Sequence, residues 1–283
     1  MVTQGSGPSG SGETRRAGPP GPGRRRPPPR PVEVVGVERL APWLLSVSLG
    51  GDALAGFAVE APTAHIKVLI PPPGEALVLP TPGSDGLVWP ADAPRPVLRT
   101  YTPRRFDPAT GTLEVQFALH GPGPAASWAE GAKAGDRVAV AGPGGRFQLD
   151  PGAERWWIAG DESAVPAVAT LLEALAPTAQ VEVHLEIAAD ADVIPLPGPA
   201  RTSVTWHQRR DATAYGAELV EAAASSAFTA GTHAWAACET GAVRTIRRHL
   251  LTEKGVPASA LTTRGYWRLG TTNHPDHDYG DDG

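Results

Sequence analysis

Residues 156–166 read Trp-Trp-Ile-Ala-Gly-Asp-Glu-Ser-Ala-Val-Pro. Trp156 to Ala159 form an apolar run of strand length, Gly160 permits a tight turn, and Pro166 suits a first helical turn. Val165, Val168, Leu172 and Leu175 then recur at helical spacing, stopped before Pro177. The same alternation continues downstream. Val181, Val183, Leu185 and Ile187 alternate with Glu182, His184 and Glu186 as a strand, and Val204-Thr205-Trp206 is another. A helix spans about 215–226, His233 to Cys238 is a strand, and Val243, Ile246 and Leu250 mark a helix ended by Gly255. A last strand runs from Leu261 to Tyr266. Strand–helix alternation of this length predicts a mostly parallel sheet covered on both faces, with ligands outside the carboxyl ends of the strands.

Upstream of residue 153 the grammar is different. Val32–Val35, Trp43–Leu49, His65–Ile70, Val97–Thr102, Leu113–Phe117 and Arg137–Val140 are short β-rich runs punctuated by Gly and Pro. They are the signature of an antiparallel barrel or sandwich, and the expectation is an antiparallel six-stranded β barrel. Residues 71–95 form a long loop between two of its strands, a length usually reserved for function. The expected architecture is therefore β plus α/β, with a barrel over 31–152 and a nucleotide-type α/β domain over 153–270. Residues 1–30 contain 20 Gly, Pro or Arg and are expected to be a disordered leader, and 271–283 a disordered acidic tail.

Composition narrows the function. The 283 residues include 33 Gly and 31 Pro, about twice the ordinary share, which loops and tails must absorb. The single cysteine, Cys238, excludes an internal disulfide framework and multi-Cys metal sites. The formal charge of −5 is uneven: +5 over residues 1–30, −4 over 271–283 and −6 over the body. An acidic body argues against nucleic acid as a partner. No apolar run approaches the ~18–20 residues of a membrane span, and the first thirty residues lack a signal-peptide core. The expectation is a cytoplasmic monomer without membrane insertion.

Four strings carry chemistry. In Arg99-Thr100-Tyr101-Thr102-Pro103-Arg104, residues two apart share a strand face, so Arg99 and Tyr101 point together. The guanidinium can fork onto a pyrophosphate, the phenol can lie against a planar aromatic ligand, and Thr102 can bond a ring nitrogen. An ordinary edge strand with an exposed arginine remains open. In His120-Gly121-Pro122-Gly123-Pro124-Ala125-Ala126-Ser127-Trp128-Ala129, the amides of Ala125, Ala126 and Ser127 would form an anion site at a helix start. A plain Gly-Pro connector is the alternative. Gly142-Pro143-Gly144-Gly145 is a weaker Gly-rich turn. Asp161, Glu162 and Ser163 leave the first strand of the second domain where a dinucleotide phosphate would sit, although GxGxxG is absent.

Taken together, the ordered strings resemble the siderophore-interacting protein family, flavin-dependent ferric-siderophore reductases within the ferredoxin–NADP reductase superfamily. They are His65-Ile66-Lys67 before PPPG, RTYTPR at 99–104, HGPGPAASWA at 120–129, GDRVAVAGPGGRF at 135–147, GDESAVPA at 160–167, Trp235…Glu239, and GYWRLG at 265–270. The resemblance covers about 31–270. It implies a barrel that binds FAD and a ferredoxin-reductase-like α/β domain that receives NADPH or NADH. Arg99, Thr100, Tyr101 and Thr102 would hold the flavin diphosphate, ring and N5 edge. His120, Gly123, Ala125, Ala126 and Ser127 would hold more of the phosphate chain. Arg209 and Arg210 are candidate 2′-phosphate contacts, with solvated surface as the alternative.

The implied reaction passes hydride to the flavin and single electrons on to Fe(III) in a siderophore, with no general base and no metal ligand set. Ferredoxin is an alternative donor. Lys67, Arg264 and Arg268 are the candidate cations for the ferric siderophore. Other readings are a flavin reductase for a different acceptor, or a ferric-siderophore-binding protein without turnover. The chain departs from the usual family residues at Ala126 (Ser), Cys238 (Gly) and His207 (Leu).

Overall fold

The computed structural model describes residues 27–83, 86–119, 123–145, 147–188 and 191–271. The first half contains β1 (Arg30–Ala41), β2 (Leu44–Gly50), β3 (His65–Ile70), β4 (Thr81–Gly83), β5 (Gly86–Val88), β6 (Val97–Tyr101), β7 (Pro103–Asp107), β8 (Thr112–Ala118), α1 (Pro124–Gly131) and β9 (Arg137–Gly144). Seven of these strands form one antiparallel sheet in the order β6-β3-β9-β1-β2-β8-β7. The two edge strands are consecutive in the chain, with Thr102 alone between them. The sheet must therefore curl until its edges meet. Counted as one strand bent at Thr102-Pro103, β6 and β7 complete the expected ring of six. Pro103 has no N–H to donate, which suits the point where pairing switches from β3 to β8.

The barrel interior is filled by Val32, Val34, Val47, Leu49, Ile66, Val68, Ile70, Val115, Phe117, Val138 and Val140, among others. These side chains come from alternate positions of the strands, which is why the period-2 runs were readable. The long loop after β3 carries a small hairpin of its own, β4–β5. β1 begins at Arg30, at the edge of the segment expected to be leader; residues 1–26 and 272–283 lie outside the described residues.

The second half contains β10 (Arg155–Asp161), α2 (Val165–Ala174), β11 (Gln180–Ile187), β12 (Arg201–Gln208), α3 (Ala217–Ser225), β13 (Thr232–Glu239), α4 (Thr240–Thr252) and β14 (Leu261–Trp267). The sheet is parallel throughout, in the order β12-β11-β10-β13-β14. α2 packs on one face with Ile158, Val181, Val183 and Leu185. α3 and α4 pack on the other with Trp157, Ala234 and Ala236. The chain runs outward from β10 to β12, then returns to β13, so the topological switch point lies between β10 and β13.

The barrel and the α/β unit share a core. Ala41, Trp43 and Leu44 sit in the same cluster as α2, β10 and β11. Trp43 Nε1 donates to the Asp192 carbonyl at 2.7 Å, and the Thr63 amide donates to Thr170 Oγ1 at 3.1 Å. Arg104 on β7 makes a bidentate pair with Glu173 of α2, both bonds 2.8 Å. No helix among the described residues is long and apolar enough to cross a membrane.

Candidate functional site

On β6, register sets the faces. Tyr101 pairs with Ile66 and Arg99 with Val68, whereas Thr100 pairs with Lys67 on the opposite face. Arg99 and Tyr101 thus stand together, as the spacing predicted, and Lys67 Nζ donates to Thr100 Oγ1 at 2.9 Å. The Arg99 guanidinium is half-buried; its Nη1 donates to the neighbouring Leu98 carbonyl at 2.8 Å, and no carboxylate among the described residues pairs with it. The Tyr101 ring lies 4.3 Å from that of Phe117, which is 5.5 Å from Trp128 of α1. This aromatic row ties β6 to α1, which also packs against β2 and β8. Burial pushes the Tyr101 phenol up and Arg99 opposes it.

α1 starts at Pro124 after an extended Gly123, and no side chain caps it. The Ala125 and Ala126 amides lie in the first turn, where no intrahelical acceptor reaches them. Ser127 N bonds back to the Gly123 carbonyl at 2.8 Å, so its amide is already used, while its side chain is exposed. His120 lies outside the described residues, as do Gly121 and Pro122. A guanidinium without a carboxylate partner, a half-buried aromatic ring and an uncapped helix start converge on one rim of the barrel. That donor set fits a flavin diphosphate and ring.

Thr102 is buried at the bend, and its side chain lies beside the phenol of Tyr266 on β14, where it opposes the effect of burial on that phenol. Burial holds that phenol well above the ordinary tyrosine value. The contact brings the barrel rim to the end of the parallel sheet. Arg264 shares a strand face with Tyr266, and Arg268 follows β14, bridged to Thr271. Arg264 is half-buried and Arg268 is exposed.

At the strand-end edge the structure gives several candidates other partners. Asp161, 2% exposed, accepts from Ser163 N at 3.0 Å, Ser163 Oγ at 2.5 Å, Glu239 N at 3.0 Å and Trp267 Nε1 at 2.7 Å. Its carboxylate joins the ends of β10, β13 and β14. The Ser163 amide, read as part of a phosphate site, is thereby used within the chain. Arg209, read as a candidate 2′-phosphate contact, is buried: Nη2 bonds both oxygens of Glu162 at 3.0 and 2.9 Å, and Nε bonds Glu186 at 2.9 Å. Its guanidinium also lies 4.4 Å over the Tyr215 ring, which meets Trp267 edge-on at 4.7 Å. Burial, then the charge of Asp161, raises the Glu162 pKa against the pull of Arg209.

Sequence reasoning missed Glu186, which is fully buried and accepts from the amides of Gly216 and Glu218. It also missed the Thr102–Tyr266 contact, for which no local pattern exists. Cys238 is a fully buried side chain at the end of β13; burial first, then nearby carboxylates, push its thiol well above the ordinary value.

Residues 33–147 match the siderophore-interacting FAD-binding domain, and 153–270 match the siderophore-interacting protein family. The chain is 30% identical over 261 residues to ferric vibriobactin reductase ViuB of Vibrio cholerae, covering 88% of this chain and 93% of that protein. It is 37% identical over 146 residues to the NADPH-dependent ferric-chelate reductase of Escherichia coli, covering 52% and 57%. A siderophore utilization protein from T. fusca superposes with a TM-score of 0.79 at 34% identity, covering 88% of this chain and 96% of that one.

Proposed function

The chain belongs to the siderophore-interacting protein family, and from that premise we propose that it is an FAD-dependent reductase delivering electrons to iron(III) held by a siderophore. The observation that carries the reading is the barrel rim, where Arg99, Tyr101 and the uncapped start of α1 converge, with no acidic partner for Arg99 among the described residues. In this reading residues 31–152 are the flavin unit and 153–270 the donor-side unit.

Arg99 and the Ala125 and Ala126 amides would hold the diphosphate, Tyr101 would lie against the ring, and Thr102 would meet its reactive edge. A bound isoalloxazine supplies the conversion from two-electron to one-electron chemistry: one reduced nicotinamide and two Fe(III) give one oxidised nicotinamide, two Fe(II) and a proton. The chain's own task is orientation. Thr102 lies beside Tyr266, where the α/β unit meets the rim, and Lys67, Arg264 and Arg268 offer positive charge to an anionic ferric chelate. Fe(II) binds hard oxygen ligands less tightly than Fe(III), so reduction frees the metal.

Arg99→Ala tests the cradle. A charge-assisted bond contributes about 1.5–3 kcal/mol, so FAD affinity should fall about 10- to 100-fold, read by quenching of flavin fluorescence. An unchanged affinity removes Arg99 from the site and with it this reading.

A further inference from the structure

The helix starts of the two halves are treated in opposite ways. In the barrel, α1 has no side-chain cap. Among the described residues of the α/β unit, carboxylates of the chain itself take amides at the starts of α3 and α4 and in the 3-10 turn that precedes α2, which has no side-chain cap of its own. Asp161 takes the Ser163 amide in the 3-10 turn leading into α2, whose first turn, Val165 to Val168, is buried throughout. Glu186 takes the amides of Gly216 and Glu218 at the start of α3. Glu239 takes those of Gly241 and Ala242 at the start of α4 and also accepts from the Leu269 amide at 3.3 Å.

These are the groups on which a doubly wound sheet seats a dinucleotide diphosphate. Asp161 and Glu239 end the two strands that flank the switch point, and Asp161 is bonded to the Glu239 amide across it. The nearby guanidinium groups are also engaged. Arg209 is held by Glu162 and Glu186, and Arg210 by Glu218 and Glu221. Arg264 and Arg268 stand on and just past the outermost strand, β14, on the far side of β13 from the switch point.

We propose that Asp161, Glu186 and Glu239 make this unit blind to the phosphates of its electron donor. Pyridine dinucleotides then react by weak encounter through the nicotinamide end, without preference for the 2′-phosphorylated form. The proposal rests on the flavin reading above and specifies its donor side. Two electrons and one proton still leave the dihydronicotinamide together as hydride to the flavin, and the oxidised ring departs as a cation.

The test uses the FAD-loaded protein. Calorimetric titration with ADP-ribose and with 2′-phospho-ADP-ribose should give no saturable binding below about 1 mM. Stopped-flow bleaching by NADH and by NADPH should be linear in donor concentration, with rates within threefold of each other. 1-Benzyl-1,4-dihydronicotinamide, which carries no phosphate, should bleach the flavin at least as fast. Glu239→Ala, which uncovers two amides and removes a charge, should bind ADP-ribose at least fivefold more tightly than the parent. Micromolar binding of the 2′-phosphorylated fragment by the parent, or a tenfold preference for NADPH, overturns the proposal; the name of the E. coli relative would lead one to expect that outcome. An unchanged or weakened ADP-ribose affinity in a folded Glu239→Ala protein also overturns it. The flavin reading is checked separately by reducing the protein with dithionite and adding a ferric chelate. Failure there sinks that reading whatever the donor result.

Discussion

Arg209 shows how much one side chain settles at the residue scale. It neutralises two buried carboxylates that lie 24 positions apart in the chain, Glu162 and Glu186. Removing one partner of a buried pair typically costs about 3–5 kcal/mol because the other charge is left uncompensated. Arg209→Met should lower unfolding stability in urea by that order, and a loss under about 1 kcal/mol would contradict the buried network. His207 offers a pH-dependent counterpart. Its Nε2 lies 2.9 Å from His184 Nδ1, a contact that needs one donor and one acceptor. Burial first, and the charge of His184 second, hold the His207 pKa below the ordinary value, against Glu218 and Glu221. A histidine depressed in this way has its full stability above the unfolded pKa of about 6.5 and loses it as pH falls through the folded value. The urea midpoint should therefore be lower at pH 5.5 than at pH 7.5. His207→Leu should narrow that gap, and an unchanged gap removes His207 from the pH response.

At the scale of elements, the strands and helices were readable where one face met the core and the other met solvent or a simple cover. β11 was the exception in its details. Glu182, His184 and Glu186 alternate with apolar residues, a period that marks a strand but not what its polar face meets. Yet β11 lies inside a sheet covered on both sides, so His184 and Glu186 are buried and bonded to Ser226, His207, Arg209 and the start of α3. Period alone cannot tell a solvated polar face from a buried network, because the difference lies in a helix about thirty residues downstream. The α3 start also depends on Gly216, which has φ of 79° and whose added Cβ would stand 2.2 Å from the Ala242 Cβ. Gly231, at φ 81°, has nothing within 4 Å of the same position. Gly216→Ala should cost about 1–3 kcal/mol more than Gly231→Ala, since both carry the backbone strain and Gly216→Ala alone adds overpacking. Equal costs would contradict the close approach of α3 and α4.

At the scale of the molecule, the barrel followed by a parallel α/β unit was legible from the change of grammar near residue 153. The shared face of Arg99 and Tyr101 was legible too, because strand spacing alone puts them together. What the sequence did not disclose is long-range: the contacts that join the halves, Trp43 with Asp192, Arg104 with Glu173 and Thr102 with Tyr266, and the carboxylates that take amides at helix starts remote from them. Such pairings are fixed by topology, not by local pattern. The most direct measurement is anaerobic: reduce the FAD-loaded protein, mix it with a ferric siderophore and a ferrous-specific chelator, and follow both colours. The account predicts return of the oxidised flavin spectrum with about two Fe(II) captured per flavin. A protein that takes up no FAD, or a reduced flavin that yields no Fe(II) from any siderophore class, would contradict it.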